Sequence, residues 1–259
     1  MTWRRAIFLL AGWAVVGVAL SPPLDAAANQ SLPLHMVQHM LLLAVAPPLL
    51  VLGEPVRVAF DLLPVAGARH LATWLRRPPL ATLLNPVVAL SLFLLIVLGT
   101  HLPAVFDAAL ESDPLHALEH LGYLLAGLLL WSAAIGADPA AKPLSLIGVT
   151  GLLTAAMVPM LAVGVALDTA SVVVYSPYAA ASGSAAASGA PVAFGEQNAA
   201  ATAMWAGDLP FILALVLAGW AALKREERRQ RLHEAAAERE SAKNRALQGF
   251  SRTREGGRA

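Results

Sequence analysis

Residues 32–52 form an uncharged, mostly apolar run, LPLHMVQHMLLLAVAPPLLVL, and its length limits what the chain can fold into. A helix needs ~20 such residues to cross the hydrocarbon core of a bilayer. Hydrocarbon cannot satisfy backbone N–H and C=O groups, so a segment of this kind must be a helix that bonds to itself. Comparable runs occur at 3–20, 86–102, 115–135, 144–167 and 199–223. A chain that is 58% hydrophobic leaves little for a separate soluble domain. The expected fold is therefore all-α: a polytopic membrane helix bundle of six spans within residues 1–223, followed by a charged tail at 224–259 that extends the last helix briefly and then frays. The first run also fits a cleavable leader, because Arg4 and Arg5 precede it and Ala26, Ala27 and Ala28 follow. Its length favours an uncleaved span.

Charge sets the orientation. If the six spans alternate from an inside start, all eighteen Lys and Arg fall on one side: Arg4 and Arg5, the linker arginines Arg57, Arg69, Arg76 and Arg77, Lys142, and the tail. The three opposite loops contain none, the asymmetry expected when the basic side is cytoplasmic. Both termini are thus expected in the cytoplasm. The 53–86 linker should lie along the inner interface as short amphipathic helices. Pro47 and Pro48 should kink the second span and Pro159 should interrupt the fifth. Asp107, Glu111 and Asp113 should form an acidic outer loop, and residues 168–197, rich in Ala, Ser and Gly, a flexible one with little to bury.

Five of the seven histidines gather at the other end. His35 and His39 begin one span, His116 and His120 begin another, and His101 ends a third. Residues at i and i+4 share a helix face, so each pair points one way. His70 and His233 lie in cytoplasmic segments. Ionisable side chains inside a membrane segment are costly and mark function by default, and neutral imidazole is the commonest metal ligand. With no cysteine in the chain, any soft ligand must be methionine. Met36 and Met40 are rotated away from the histidines, whereas Met204 lies at similar depth. Imidazole with thioether suits copper better than magnesium or calcium. Along the fourth span His116, Glu119, His120 and Tyr123 form one polar stripe, with Glu119 placed to orient an imidazole and Gly127 below allowing close helix approach. On the last span Gln197, Met204 and Asp208 share a face.

Several roles fit such residues. The histidines can serve as structural hydrogen bonds between helices. Two helices can each offer one imidazole to a heme. His116, Glu119 and His120 match the H-x-x-E-H pattern of inverted zinc peptidases, which gives an intramembrane zinc metalloprotease as one alternative function, a purely structural partner protein without metal being the other. Reversible metal handling near the outer surface uses all five histidines and needs no catalytic apparatus.

Three stretches, taken in order, carry a family resemblance: LHMVQHMLLLAVAPPLLVLGEP, HLPAVFDAALESDPLHALEHLGYLLAGLLLW and EQNAAATAMWAGDLP. Across residues 30–225 the chain resembles the CtaG-type cytochrome c oxidase assembly factors of bacterial membranes. The resemblance implies a non-enzymatic, multi-pass protein of the bacterial plasma membrane, needed to make an active heme-copper oxidase and proposed to supply it with copper. Its partners would be an oxidase subunit, a copper donor protein and the lipid bilayer, with no nucleic acid. The matching polar positions are His35, Gln38, His39, His101, Asp107, His116, His120, Gln197, Met204 and Trp205. Two departures stand out: Glu196 where aspartate is expected before the glutamine, and six spans where relatives have seven. The expected copper ligands are His35, His39, His116 and His120, with His101 as a fifth. Gln38, Asp107, Glu119, Glu196, Gln197, Met204 and Asp208 would surround or gate them.

Overall fold

Prolines start helices in this chain more often than they end them. The first N–H groups of a helix have no intrahelical acceptor, so proline loses nothing there and its fixed φ suits the helix. Pro22, Pro33, Pro55, Pro78, Pro86, Pro103 and Pro114 all occupy such positions. The structure, a computed structural model, describes residues 2–75, 77–136, 143–175, 177–178 and 190–256. Among these the principal elements are α1 (Trp3–Ala19), α2 (Pro22–Ala28), α3 (Leu32–Leu52), α4 (Pro55–Leu62), α5 (Val65–Leu75), α6 (Pro78–Leu83), α7 (Pro86–Thr100), α8 (Pro103–Leu110), α9 (Asp113–Ile135), α10 (Leu146–Thr169), α11 (Ala190–Ala206) and α12 (Leu209–Gly256). No strand occurs among the described residues.

Four helices are long and apolar enough to cross a membrane, or six if each bent pair counts as one span. The bent pairs are α1 with α2, at 49°, and α7 with α8, at 75°. The fold is thus a polytopic helical bundle. Large apolar side chains that face outward, among them Leu10, Trp13, Leu95, Leu118, Ile147 and Leu161, suit a hydrocarbon surround.

The sequence expectations are corrected at several places. Asp107 lies on α8 and not in a loop. Pro159 is buried within α10, which continues unbroken past it. The expected loop at 168–197 is shorter at both ends, because α10 continues through Thr169 and α11 begins at Ala190. The last predicted span falls within one candidate span, Val192–Ser241, interrupted only by a turn at Gly207 and Asp208 between α11 and α12. α12 continues as helix to Gly256, further than the brief extension expected. Arg76, Lys142 and residues 179–189, which include most of the SGSAAASGAP stretch, lie outside the described residues.

The chain divides into two units, Met1–Leu215 and Val216–Ala259. In the second, Lys224 pairs with Glu227 at 3.3 Å. In the first, α3 is central and packs against α1, α2, α9 and α11. α9 also lies against α7 and α8, and α10 against α7 and α11. Met36, Met40, Leu42, Leu43 and Ala44 of α3 are buried in the core.

Pro47 and Pro48 change α3 without ending it. Each lacks the N–H that would bond to the carbonyl four residues earlier, at Leu43 and Ala44, and the helix widens into a π-turn over Leu41–Val45. The Leu43 carbonyl faces Gly127 of α9: a Cβ there would stand 2.5 Å from the Leu43 oxygen and 2.6 Å from Pro47 Cγ. Only glycine permits this approach. At the far end of α3 the Arg5 guanidinium meets Glu54 at 2.9 Å and Asp61 at 3.6 Å. Arg57 also reaches Glu54, at 3.5 Å. These ion pairs hold the chain's start beside the arginine-bearing linker, at the opposite end of α3 from the histidines.

The tight seam yields a prediction. Gly127→Ala should destabilise the bundle by about 1–3 kcal/mol, because backbone atoms cannot yield as side chains can. Gly17→Ala, which would meet nothing within 4 Å, should leave stability unchanged or slightly raised. Thermal unfolding in detergent checks both; equal midpoints would mean that the seam is not tight.

Candidate functional site

Three helices bring the five imidazoles together. On α3 the rings of His35 and His39 lie 4.2 Å apart, centroid to centroid, as do those of His116 and His120 on α9. Across the seam His35 stacks on His116 at 5.1 Å, and His39 meets His120 at 5.3 Å. His101, at the corner between α7 and α8, stands 6.4 Å from His39. His39 is completely buried, and its ring also lies 4.4 Å from that of Tyr123.

Hydrogen bonding decides which ring nitrogen is available. His101 Nδ1 lies 2.7 Å from the Val97 carbonyl oxygen. A carbonyl can only accept, so Nδ1 carries the proton and Nε2 keeps a lone pair. Seven buried donor atoms at this place have no hydrogen-bond partner: Nε2 of His35, His101, His116 and His120, both nitrogens of His39, and Oε2 of Glu119. Leaving one such atom unsatisfied costs about 1–3 kcal/mol. A coordinated cation offsets several such costs at once.

His35, His39, His116 and Glu119 each offer one atom such that all four lie within 4.8 Å of one another. Nitrogen donors bind an ion such as zinc at about 2.0–2.1 Å, which separates tetrahedral ligands by about 3.3 Å. Closing the group around an ion therefore takes side-chain movements of about 1 Å. His101 and His120 fall outside this closest set but adjoin His39. Glu119 differs from its expected part: its Oε1 accepts from Tyr123 at 3.4 Å, not from an imidazole.

The remaining predicted residues are dispersed. Gln38 holds the corner between α1 and α2, its Nε2 donating to the Ala19 carbonyl at 2.9 Å and to Asp25 Oδ1 at 3.1 Å. Glu196 accepts from Ser31, just before α3, at 3.1 Å. Gln197 clamps the chain that leaves α10: Nε2 donates to Leu167 and Val172 carbonyls at 2.9 and 3.3 Å, and Oε1 accepts from the Val174 N–H at 2.9 Å. Asp107 lies within electrostatic range of Tyr175. Met204 is packed in the apolar core. The Asp208 carbonyl accepts the N–H groups of Phe211 and Ile212 in the first turn of α12, and its buried Oδ1 has no hydrogen bond. No described contact joins Met204 or Asp208 to the imidazoles.

Sequence reasoning missed Tyr175 and Tyr178. They lie in the stretch that composition marks as having little to bury, yet both are buried. Tyr175 donates to the His101 carbonyl at 3.0 Å and stacks on Phe106 at 3.9 Å. Phe106 in turn lies 5.0 Å from His35. Burial, with Asp107 and Glu119 nearby, pushes the Tyr175 hydroxyl pKa up, and burial does the same at Tyr178, so both stay protonated. The available signal was that the chain has only three tyrosines, and all three meet at this site.

Comparison with known proteins adds distant relatives. Uncharacterized proteins of Mycobacterium bovis and Mycobacterium tuberculosis are each 33% identical over 174 residues, covering 64% of this chain and 26% of theirs. An uncharacterized protein of Mycobacterium leprae is 30% identical over 177 residues, 65% of this chain and 27% of its own. The aligned region thus spans about a quarter of the length of these relatives. No solved structure matches the chain. A family profile described as cytochrome c oxidase caa3 assembly factor (Caa3_CtaG) matches residues 1–225, and the chain belongs to that family.

Proposed function

We propose that the protein assists assembly of a heme-copper cytochrome c oxidase by holding copper, as cargo, near the extracytoplasmic side of the bacterial plasma membrane. The observation that carries this reading is the group of seven buried, unpartnered donor atoms where three helices meet. His35, His39, His116 and Glu119 would form the closest set around the ion, flanked by His120 and His101. Imidazole nitrogens with one carboxylate suit copper, and the absence of cysteine leaves a site that can release its ion to a stronger acceptor. The expected orientation, with every Lys and Arg on the cytoplasmic side, would turn the histidines toward a copper donor protein and the recipient oxidase subunit. Family membership supplies the oxidase context.

Metal analysis of purified protein tests the reading. Wild type should retain copper, and His39→Ala and His120→Ala should each lose half or more of it while remaining folded. Equal copper content in all three would count heavily against a histidine site.

The H-x-x-E-H spacing on α9 supports a second reading, an intramembrane zinc peptidase in which Glu119 is the general base. The two separate at Glu119→Gln. A ligand role predicts metal affinity lowered about 10-fold or more. A general-base role predicts full metal retention with accumulation of an unprocessed membrane substrate.

A further inference from the structure

His35 is buried and depends on a distant part of the chain. Its Nδ1 lies 2.9 Å from the hydroxyl of Tyr178, and that hydroxyl lies 2.7 Å from the carbonyl oxygen of Ala28. The Tyr178 hydroxyl has one proton to share between these two neighbours. The carbonyl can only accept, so the hydroxyl proton belongs to Ala28, and the bond to His35 must run the other way, from Nδ1–H to the tyrosine oxygen. The reverse assignment would leave two oxygens facing each other at 2.7 Å with no hydrogen between them.

We propose that Tyr178 is a positioning residue that fixes His35 with its proton on Nδ1 and so presents the Nε2 lone pair to the metal group. Partners of this kind on the far ring nitrogen orient a histidine ligand and raise its basicity. Val97 does the same for His101 through its own carbonyl, so two imidazoles on separate helices present the same nitrogen. At His35 the control comes instead from 143 residues away in sequence.

The route by which Tyr178 arrives is itself held at three points. Gln197 of α11 grips Val172 and Val174. Tyr175 donates to the His101 carbonyl, and its ring stacks on Phe106. The described part of the strap after α10 is therefore tied to the corner that carries His101 and to the imidazole of His35. Loss of the Tyr178 hydroxyl removes the only hydrogen bond described for His35 Nδ1 and frees the ring to exchange tautomers.

The role toward metal rests on the copper reading, but the tautomer does not, and the test uses that difference. Nitrogen-15 magic-angle-spinning spectra of metal-free wild-type protein labelled at histidine should show His35, assigned by its absence in His35→Asn, with a protonated Nδ1 and an unprotonated Nε2. Tyr178→Phe keeps the ring and should give a mixture of tautomers at His35 with His101 unchanged. Cu(I) competition against a chromophoric chelator should then show affinity about 10-fold weaker in Tyr178→Phe than in wild type. A wild-type His35 protonated on Nε2 would overturn the inference whether or not the variant folds. Tautomers and Cu(I) affinity unchanged in Tyr178→Phe would also overturn it. Wild type that binds no Cu(I), with the tautomer as expected, would instead sink the copper reading and leave the positioning assignment standing.

Discussion

The close approach of α3 and α9 is the contact on which the site depends. Gly127 lies against the Leu43 carbonyl and Pro47 where a Cβ would collide with both. Both helices begin at the histidine end, so they run parallel, and His35 meets His116 as His39 meets His120, in one register. Rotate either helix by a quarter turn and one pair would leave the cluster for the core or the bilayer. Shape complementarity at a glycine thus sets the register of the histidines, bringing one donor atom each from His35, His39, His116 and Glu119 within 4.8 Å of one another. In a membrane, where lipid is as apolar as leucine, such close packing is one of the few forces that can select a register.

The prolines of α3 belong to the same device. Removing two N–H donors frees the Leu43 and Ala44 carbonyls, and the helix widens into a π-turn instead of ending. One freed carbonyl is the one that Gly127 meets. The Leu43 carbonyl is therefore enclosed between two helices and not turned to hydrocarbon, where an unsatisfied group is costly. His101 depends on a second irregularity, the 75° corner between α7 and α8. A straight continuation of α7 would carry it along the helix axis; the corner leaves it as the terminal residue, its Nδ1 bonded back to Val97.

Much of the site was legible in the amino-acid order because it depends on helical spacing. Histidines four apart must share a face, and their recurrence at the starts of two apolar runs marked the cluster. Gly127 was legible for the same reason, since it lies on the stripe of His120 and Tyr123. Glu119 was correctly placed in the stripe but its neighbours were not, because spacing along one helix says nothing about which atoms another helix supplies. Tyr175 and Tyr178 escaped because composition was averaged over thirty residues, which diluted two aromatic anchors in alanine and serine. Asp25 escaped because its partner, Gln38, belongs to another helix.

By itself the sequence determined that the chain is helical and that several of its helices can cross a membrane, and it led to the expectation that its basic and histidine-bearing segments lie at opposite ends of them. Those properties follow from local rules: hydrocarbon forces the backbone to bond within a helix, and charge is costly to carry across. Only the tertiary structure decided that three helices present their imidazoles to one another, that Glu119 joins them, and that tyrosines from a remote strap hold two histidine-bearing positions. These are contacts between segments up to 143 residues apart, fixed by how side chains interlock across helix seams, and no periodicity within a single segment encodes them.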